Sequence, residues 1–423
     1  MILKKVLIRG LYLYHLEKSF SISDSFFLYF YSLFSLASQT VLNLNKLFKY
    51  IIISLLLVFT SFSGQLSAQT KQKPFIDTLD NAFDLSYYLY NLHGLLPIIS
   101  PITEPAVGYG AVGAGLFFIP KKDTLRKGFK MPDIVGVAGG YTENGTWFTG
   151  AGYIGFWKQD RVRYRGVFGY GDIKLKYYGK GDDYLSSRPI QFSIKSYFFL
   201  QQAIFRIGDS KFLLGGRYLL GKSTVTFFEH SIIPTIDPRD KVLTNSGVGI
   251  IAEYENFDNI FSPTKGLRAN ITYNQFLEAL GGDRDFGRIS FFALQYFNVV
   301  KERWNSGFRL ETQLSLGKAP FYMQPFVYLR GVPAMRYQGE FTALVETEQE
   351  LILTQRWSIV GFGGYGHAFK SLDEMNMGSN VWNAGTGFRY KIARVFGLKM
   401  GLDVAKGPEQ WAVYVVFGNS WMK

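Results

Sequence analysis

The sequence predicts an all-β fold: a closed antiparallel transmembrane β-barrel of about sixteen strands with a short N-terminal periplasmic segment. Three observations predict it. Hydrophobic residues make up 47% of the 423 and aromatic residues 17%, yet mean hydropathy is only +0.03, so the apolar residues are interleaved with polar ones. Segment after segment alternates with period two, one face apolar and the other charged. The connections are tight and long by turns, as in a barrel whose short turns face the periplasm and whose long loops face outward.

The N-terminal region comes first. Lys46 and Lys49 precede the apolar run from Ile51 to Phe59, and Leu66-Ser67-Ala68 offers a small-residue cleavage site before Gln69. This is the order of a secretory signal. The run is too short to cross a bilayer as a helix, which needs roughly 20 residues; the alternative is an anchor formed by residues 25–62 together. Residues 1–68 therefore read as an N-terminal extension plus signal peptide, with the expected translation start near Asn45. Residues 69–94 form a short periplasmic or interfacial segment whose Phe75, Ile76, Leu79, Phe83, Leu85, Tyr88 and Leu89 have the spacing of a short amphipathic helix, lying at the interface or plugging the barrel. The barrel is 95–423.

The chain has no cysteine, which excludes disulfide scaffolds, thiolate zinc sites, iron–sulfur clusters and cysteine nucleophiles. Removing residues 1–68 takes away six basic and two acidic residues, so the net charge of +13 becomes +9. No run of Lys and Arg is interleaved with stacking aromatics, and export argues against nucleic acid. The expected partners of this basic surface are outer-membrane lipids and lipopolysaccharide.

Alternation is clearest in five segments. In 381–392 Trp382, Ala384, Phe388 and Tyr390 oppose Asn383, Arg389 and Lys391, and in 396–404 Phe396, Leu398, Met400, Leu402 and Val404 oppose Lys399 and Asp403. In 308–316 leucines oppose Arg309, Glu311 and Gln313; in 267–274 Leu267 and Ile271 oppose Arg268 and Asn270; in 162–170 Val162 and Phe168 oppose Arg163 and Arg165, with Arg161 just before. The full set of predicted strands is 95–100, 107–118, 133–142, 147–157, 161–172, 189–206, 211–228, 245–257, 265–278, 286–300, 304–317, 341–354, 357–369, 381–394, 396–406 and 410–421. Their number is even. Residues 158–160, 208–210, 301–303 and 355–356 are tight turns, whereas 173–188, 229–244, 318–340 and 370–380 are long; 119–132 is a long connection on the short side.

A closed sheet is what hydrocarbon demands, because every backbone N–H and C=O must find a partner inside the protein. Trp147, Phe148, Trp304, Trp357, Trp382, Trp411 and Trp421 fall near strand ends, where interface girdles sit.

Three ordered motifs, Tyr328 to Gly339, Tyr254 to Gly266 and Trp411 to Trp421, resemble the BamA/TamA family of outer-membrane insertase barrels. Between the strands at 304–317 and 341–354 lies Tyr328-Leu329-Arg330-Gly331-Val332-Pro333-Ala334-Met335-Arg336-Tyr337-Gln338-Gly339, similar to the family loop that reaches back into the lumen. Upstream, Tyr254-Glu255-Asn256-Phe257-Asp258-Asn259 and Phe261-Ser262-Pro263-Thr264-Lys265-Gly266 resemble a family hairpin turn. The terminal Trp411 to Trp421 is similar to the closing strand, with Met422 and Lys423 beyond it. The resemblance covers most of 95–423. It implies insertion or translocation of proteins or lipids through a lateral seam between first and last strands, with Trp411, Phe417 and Trp421 at the seam, no cofactor, and client outer-membrane proteins or accessory lipoproteins as partners. The family's periplasmic domains have no counterpart in residues 69–94.

An arginine folded into a barrel needs a carboxylate partner. Glu346, Glu348 and Glu350 share one face of the next strand; Glu350 best matches the family acid, and Arg330, Gly331, Glu350 and Glu348 form the expected latch. The family's second acid belongs in a Phe-x-Asp-x-Gly pattern, but Phe362-Gly363-Gly364-Tyr365-Gly366 carries Gly364 there. The alternative is that the glutamates solvate a wide lumen. Two further readings stay open: an anion-favouring channel lined by Arg161, Arg163, Arg165, Arg389 and Lys391, and a structural component of a membrane complex. Gly108 to Gly113 matches a GxGxxG pattern but opens a strand, and His367 with Asp373 is the nearest approach to a catalytic pair, so an enzyme is not expected.

Overall fold

Alternating segments joined in sequence order have a simple solution, in which each strand pairs with the next. The computed structural model describes residues 75–90, 94–119, 132–179, 185, 188–227, 242–259, 261–374 and 377–421. The signal peptide and most of the 119–132 connection fall outside these residues. Sixteen antiparallel strands form one sheet in order: β1 (Gly94–Ile102), β2 (Gly110–Ile119), β3 (Asp133–Thr142), β4 (Trp147–Trp157), β5 (Val162–Tyr177), β6 (Ile190–Arg206), β7 (Phe212–Phe227), β8 (Val242–Glu255), β9 (Gly266–Phe276), β10 (Phe286–Val300), β11 (Trp304–Gly317), β12 (Phe341–Ile352), β13 (Trp357–Phe369), β14 (Gly378–Ala393), β15 (Leu398–Lys406) and β16 (Trp411–Phe417). The strands at 133–142, 147–157, 286–300, 304–317 and 357–369 stand at the expected bounds.

The fifth strand runs on to Tyr177, five residues past its expected end, and the last strand stops four residues short of its own. The last strand ends at Phe417 because Gly418, with φ +68°, turns the chain away, and its N–H is taken by Lys399 O at 2.7 Å. β16 and β1 touch, but among the described residues no ladder joins them, so the seam is the one boundary of the barrel without paired backbone.

The two faces follow the pleat. Phe168, Phe205, Ile250, Ile271, Phe308, Val345, Ile359, Phe388 and Val404 are exposed on the outside, where hydrocarbon solvates them. Arg309, Glu346, Asn383, Arg389 and Asp403 are buried on the inside. Trp304, Trp357, Trp382 and Trp411 are exposed near strand ends as girdle residues require, but Phe148 and Trp421 are not: Phe148 is on the lumen face, and Trp421 is buried.

The turn between β8 and β9 is built from its own side chains. Asp258 Oδ1 accepts the Thr264 N–H at 2.9 Å and Oδ2 the Thr264 hydroxyl at 2.7 Å, while Asn256 Oδ1 accepts the Leu267 N–H at 2.6 Å. Gly266, at φ +112°, lies where a Cβ would be 2.5 Å from Asn256 O, so only glycine fits. Residues 75–90 do not form one amphipathic helix. Ile76 and Phe83 pair in an isolated bridge, followed by the short helix α1 (Ser86–Tyr90), and the Leu85 N–H donates to Ile392 O at 2.6 Å at the short-turn rim.

Candidate functional site

The connection between β11 and β12 turns back into the barrel. A bridge between Phe326 and Gln338 makes it a hairpin, with Gly331 at φ +84° and Met335 at φ +63° shaping the tip. Val327, Leu329 and Val332 are fully buried against Leu344, Ala368 and Val381 of the inner wall. Glycines on β13 make the room: a Cβ at Gly366 would lie 2.5 Å from Val327 Cγ1, and one at Gly364 would lie 2.7 Å from Asn383 Oδ1 and 3.0 Å from Leu329 Cδ2.

This descent delivers Arg330 to a carboxylate cluster. Its guanidinium contacts Glu346 Oε1 at 3.1 Å, Glu348 Oε2 at 2.8 Å and Asp403 Oδ2 at 2.7 Å, with Cζ 3.4 Å from the centre of the Phe362 ring. Glu346, on β12, is the node. It also accepts from Arg309 at 3.1 Å, Asn383 Nδ2 at 3.1 Å and Trp421 Nε1 at 2.7 Å. Asp403, on β15, also holds Arg389.

The structure brings Arg330, Gly331 and Glu348 together but not Glu350. Glu350 sits one pleat further toward the short-turn rim and is taken by Lys399 Nζ at 2.6 Å, Ser358 Oγ at 2.5 Å and Asn305 Nδ2 at 3.0 Å. The two acids missed are Glu346 and Asp403. Both had a signal: Glu346 shares the face of the other glutamates, and Asp403 is the sole acid on the inner face of its strand.

Trp421 is corrected from the seam to the lumen. Beyond the Gly418 turn, its indole packs beside Leu294 and Tyr296, and Ser420 Oγ donates to Glu348 Oε2 at 2.9 Å. Trp411 and Phe417 remain on β16, exposed on its outer face. The hairpin reaches both sides of the seam: the Gly331 N–H donates to the Tyr414 hydroxyl of β16 at 2.8 Å, and the Ala334 N–H to Glu104 Oε1, just past β1, at 3.3 Å. Burial raises the pKa of Glu104. Arg336 adds a 2.6 Å contact to Glu409 in the β15–β16 turn.

The proposed basic face divides. Arg161 stands in the β4–β5 turn with Asp209 at 2.8 Å, outside the lumen wall; Arg163 is held by Asp160 at 2.7 Å, Glu255 at 3.1 Å and Glu253 at 3.5 Å; Arg165 faces the lumen. His367 Nδ1 bonds Asn380 Oδ1 at 2.6 Å rather than Asp373.

At the short-turn rim, Arg356 meets Asp77 and Asp80 at 2.6 Å and Asp84 at 2.5 Å, and Arg394 meets Asp77 at 2.5 Å. The Arg394 hydrogen bond lowers the pKa of Asp77, and that of Arg356 brings Asp80 down to about 2. Burial raises Asp84, but bonds from Ser86 and Arg356 outweigh it and leave it lowered.

A sixteen-stranded barrel with hydrocarbon-facing strands and a charged, loop-filled interior is an outer-membrane protein of bacteria. The sequence matches the Omp85 superfamily domain over residues 165–398, more than half of the chain, and the chain belongs to that superfamily. Its fold is similar to that of BamA from Haemophilus ducreyi lacking POTRA domains 1–3, with a TM-score of 0.54 and 12% identity over 77% of this chain and 70% of that one. It is similar also to CdiB from Escherichia coli (0.52, 13%, 76% of this chain and 61% of that one) and CdiB from Acinetobacter baumannii (0.51, 10%, 77% and 59%). The chain thus spans about three fifths of either CdiB chain. No curated protein matches it in sequence.

Proposed function

We propose that this barrel assists insertion or translocation of proteins at the outer membrane through the seam between β1 and β16. The observation that carries the reading is that, among the described residues, the seam alone lacks a ladder while one hairpin bonds to both of its sides. Unpaired backbone at a sheet edge is a template for an incoming strand. Arg330, Gly331, Glu346, Glu348 and Asp403 brace the hairpin from within, and Trp421 fixes the end of β16 to the same cluster. Client barrels are the substrates, accessory lipoproteins and the surrounding lipids the partners, and no cofactor takes part.

The test is reconstitution in liposomes with an unfolded client barrel. Cysteine pairs scanned along Gly94–Ile102 and Trp411–Phe417 identify a disulfide that staples the seam. The stapled protein is expected to lose client folding and recover it on reduction. Unchanged client folding in a fully stapled barrel rejects the seam, and steady anion-selective conductance without client folding assigns the protein to the channels.

A further inference from the structure

The interior of an outer-membrane barrel is ordinarily polar, but the inner wall of β3–β6 is not. It lines an open hollow of about 620 Å³ whose walls include Ala138, Phe148, Gly150, Val167, Ile173 and Phe198. The inner face of β5 runs Arg165, Val167, Gly169, Gly171, Ile173, Leu175 from the short-turn rim outward. Val167 to Leu175 is a path of about 26 Å along the strand. Its far end is closed, because Leu175 and Ile194 pack against a cluster containing Phe321 and Met335 of the β11–β12 hairpin.

The near end is cationic. Arg165, Gln202, Arg217, Gly249, Asn274 and Arg288 are successive cross-strand partners from β5 to β10, so all share the lumen face. Arg217 Nε donates to Asn274 Oδ1 at 2.6 Å and Arg288 to Gln313 Oε1 at 2.5 Å. Among the described residues none of Arg165, Arg217 and Arg288 forms a salt bridge, whereas Arg163, Arg309, Arg330 and Arg389 each hold a carboxylate. Arg217 lies within the fields of both other guanidiniums. Arg165 and Arg217 are two strands apart, about 10 Å, a span two arginine side chains close on one anion.

We propose that the lumen binds a single-chain anionic amphiphile, its acyl chain in the β3–β6 cavity and its carboxylate or phosphate on Arg165 and Arg217, with Arg288 adding charge. An apolar hollow closed at one end, with a row of guanidiniums that hold no carboxylate directly beyond the other, matches that ligand in both of its parts, although Glu253 and Glu311 act on Arg165 and Arg288 from a distance. The inference rests on the lumen wall and not on the opening of the seam.

The test is native mass spectrometry of the mature protein released from phosphatidylcholine nanodiscs that carry hexadecanoic acid, hexadecanoyl lysophosphatidic acid or hexadecanol. The two anionic probes separate a carboxylate source from a phosphate source, and the alcohol reports the chain alone. One adduct of an anionic probe is expected, at least about tenfold more than of hexadecanol. Shortening the acid should weaken retention about fourfold per methylene. The Cβ of Gly169→Leu meets nothing nearer than Thr149 O at 3.7 Å, an ordinary contact, so the barrel accepts it while the cavity fills and the adduct disappears. Arg165→Gln with Arg217→Gln should reduce the acid to the level of the alcohol; if that pair does not assemble, Arg165→Lys with Arg217→Lys is expected to keep the adduct. Hexadecanol retained as well as the acid, an adduct that survives Gly169→Leu, or no adduct on the wild type overturns the proposal. A cross-link from residues 120–131 into the hollow, with no adduct, assigns the cavity to the chain itself.

Discussion

The indole N–H of Trp421 ends 2.7 Å from Glu346 Oε2, on the carboxylate that receives Arg330 through its other oxygen. Trp421 arrives from the short-turn rim and Arg330 from the opposite one. One glutamate in mid-strand therefore ties the end of the closing strand to the hairpin that spans the seam.

Trp421→Phe keeps the ring against Tyr296 and removes one donor to a buried carboxylate, a loss of about 1–3 kcal/mol. The folded band on semi-native gels is expected to melt at lower temperature, with the effect absent in a Glu346→Gln background. An equal loss in both backgrounds rejects the shared node.

Arg330→Ala leaves Glu346 and Asp403 buried with less positive charge, a cost of about 3–5 kcal/mol. Arg330→Lys should recover only part of it, because one ammonium cannot reach three carboxylates as the planar fork does. Urea titration of the reconstituted barrel measures both; full recovery by lysine contradicts the geometry.

Gly364→Asp restores the acid of the family pattern but at a site with no space, with Asn383 Oδ1 at 2.7 Å and Glu346 Cγ at 3.0 Å from the new Cβ. It is expected to assemble poorly, and Gly364→Asp with Asp403→Asn should assemble better than the single variant. Wild-type assembly of Gly364→Asp alone would show that the hairpin does not fill this space.

The docking of residues 75–86 on Arg356 and Arg394 has a pH dependence of definite sign. Asp80 titrates near 2 when docked and near 3.8 when free, so the contact is at full strength above pH 4 and is lost as pH falls from about 4 to about 2. Protease cleavage within residues 75–86 should appear in that interval and not between pH 5 and 8. Arg356→Gln should expose the segment already at neutral pH.

Strands were legible wherever charge and turn chemistry agreed. Lys301-Glu302-Arg303 separates two alternating runs, and β10 ends at Val300 just before it while β11 begins at Trp304 just after it. The end of β16 was not, because Trp421 falls in phase with Trp411, Val413, Val415 and Phe417 and only the tertiary position of Gly418 turns the chain. Arg330 was legible as an arginine in need of an acid. Its partner was not: Glu346, Glu348 and Glu350 share a face, and the depth to which the hairpin descends decides among them. Asp403 is distant in sequence and meets Arg330 only once the sheet has curved. Arg161 could not be separated from Arg163 by alternation, since the positive φ angles of Lys158, Gln159 and Asp160 break the pleat just before it.

The central claim is that the boundary between the first and last strands is the weak one. Hydrogen–deuterium exchange of the mature barrel in lipid nanodiscs, resolved by peptide, measures this directly. Amides of β1 and β16 are predicted to exchange well before those of β10 and β11; equal protection across all four strands would contradict the account.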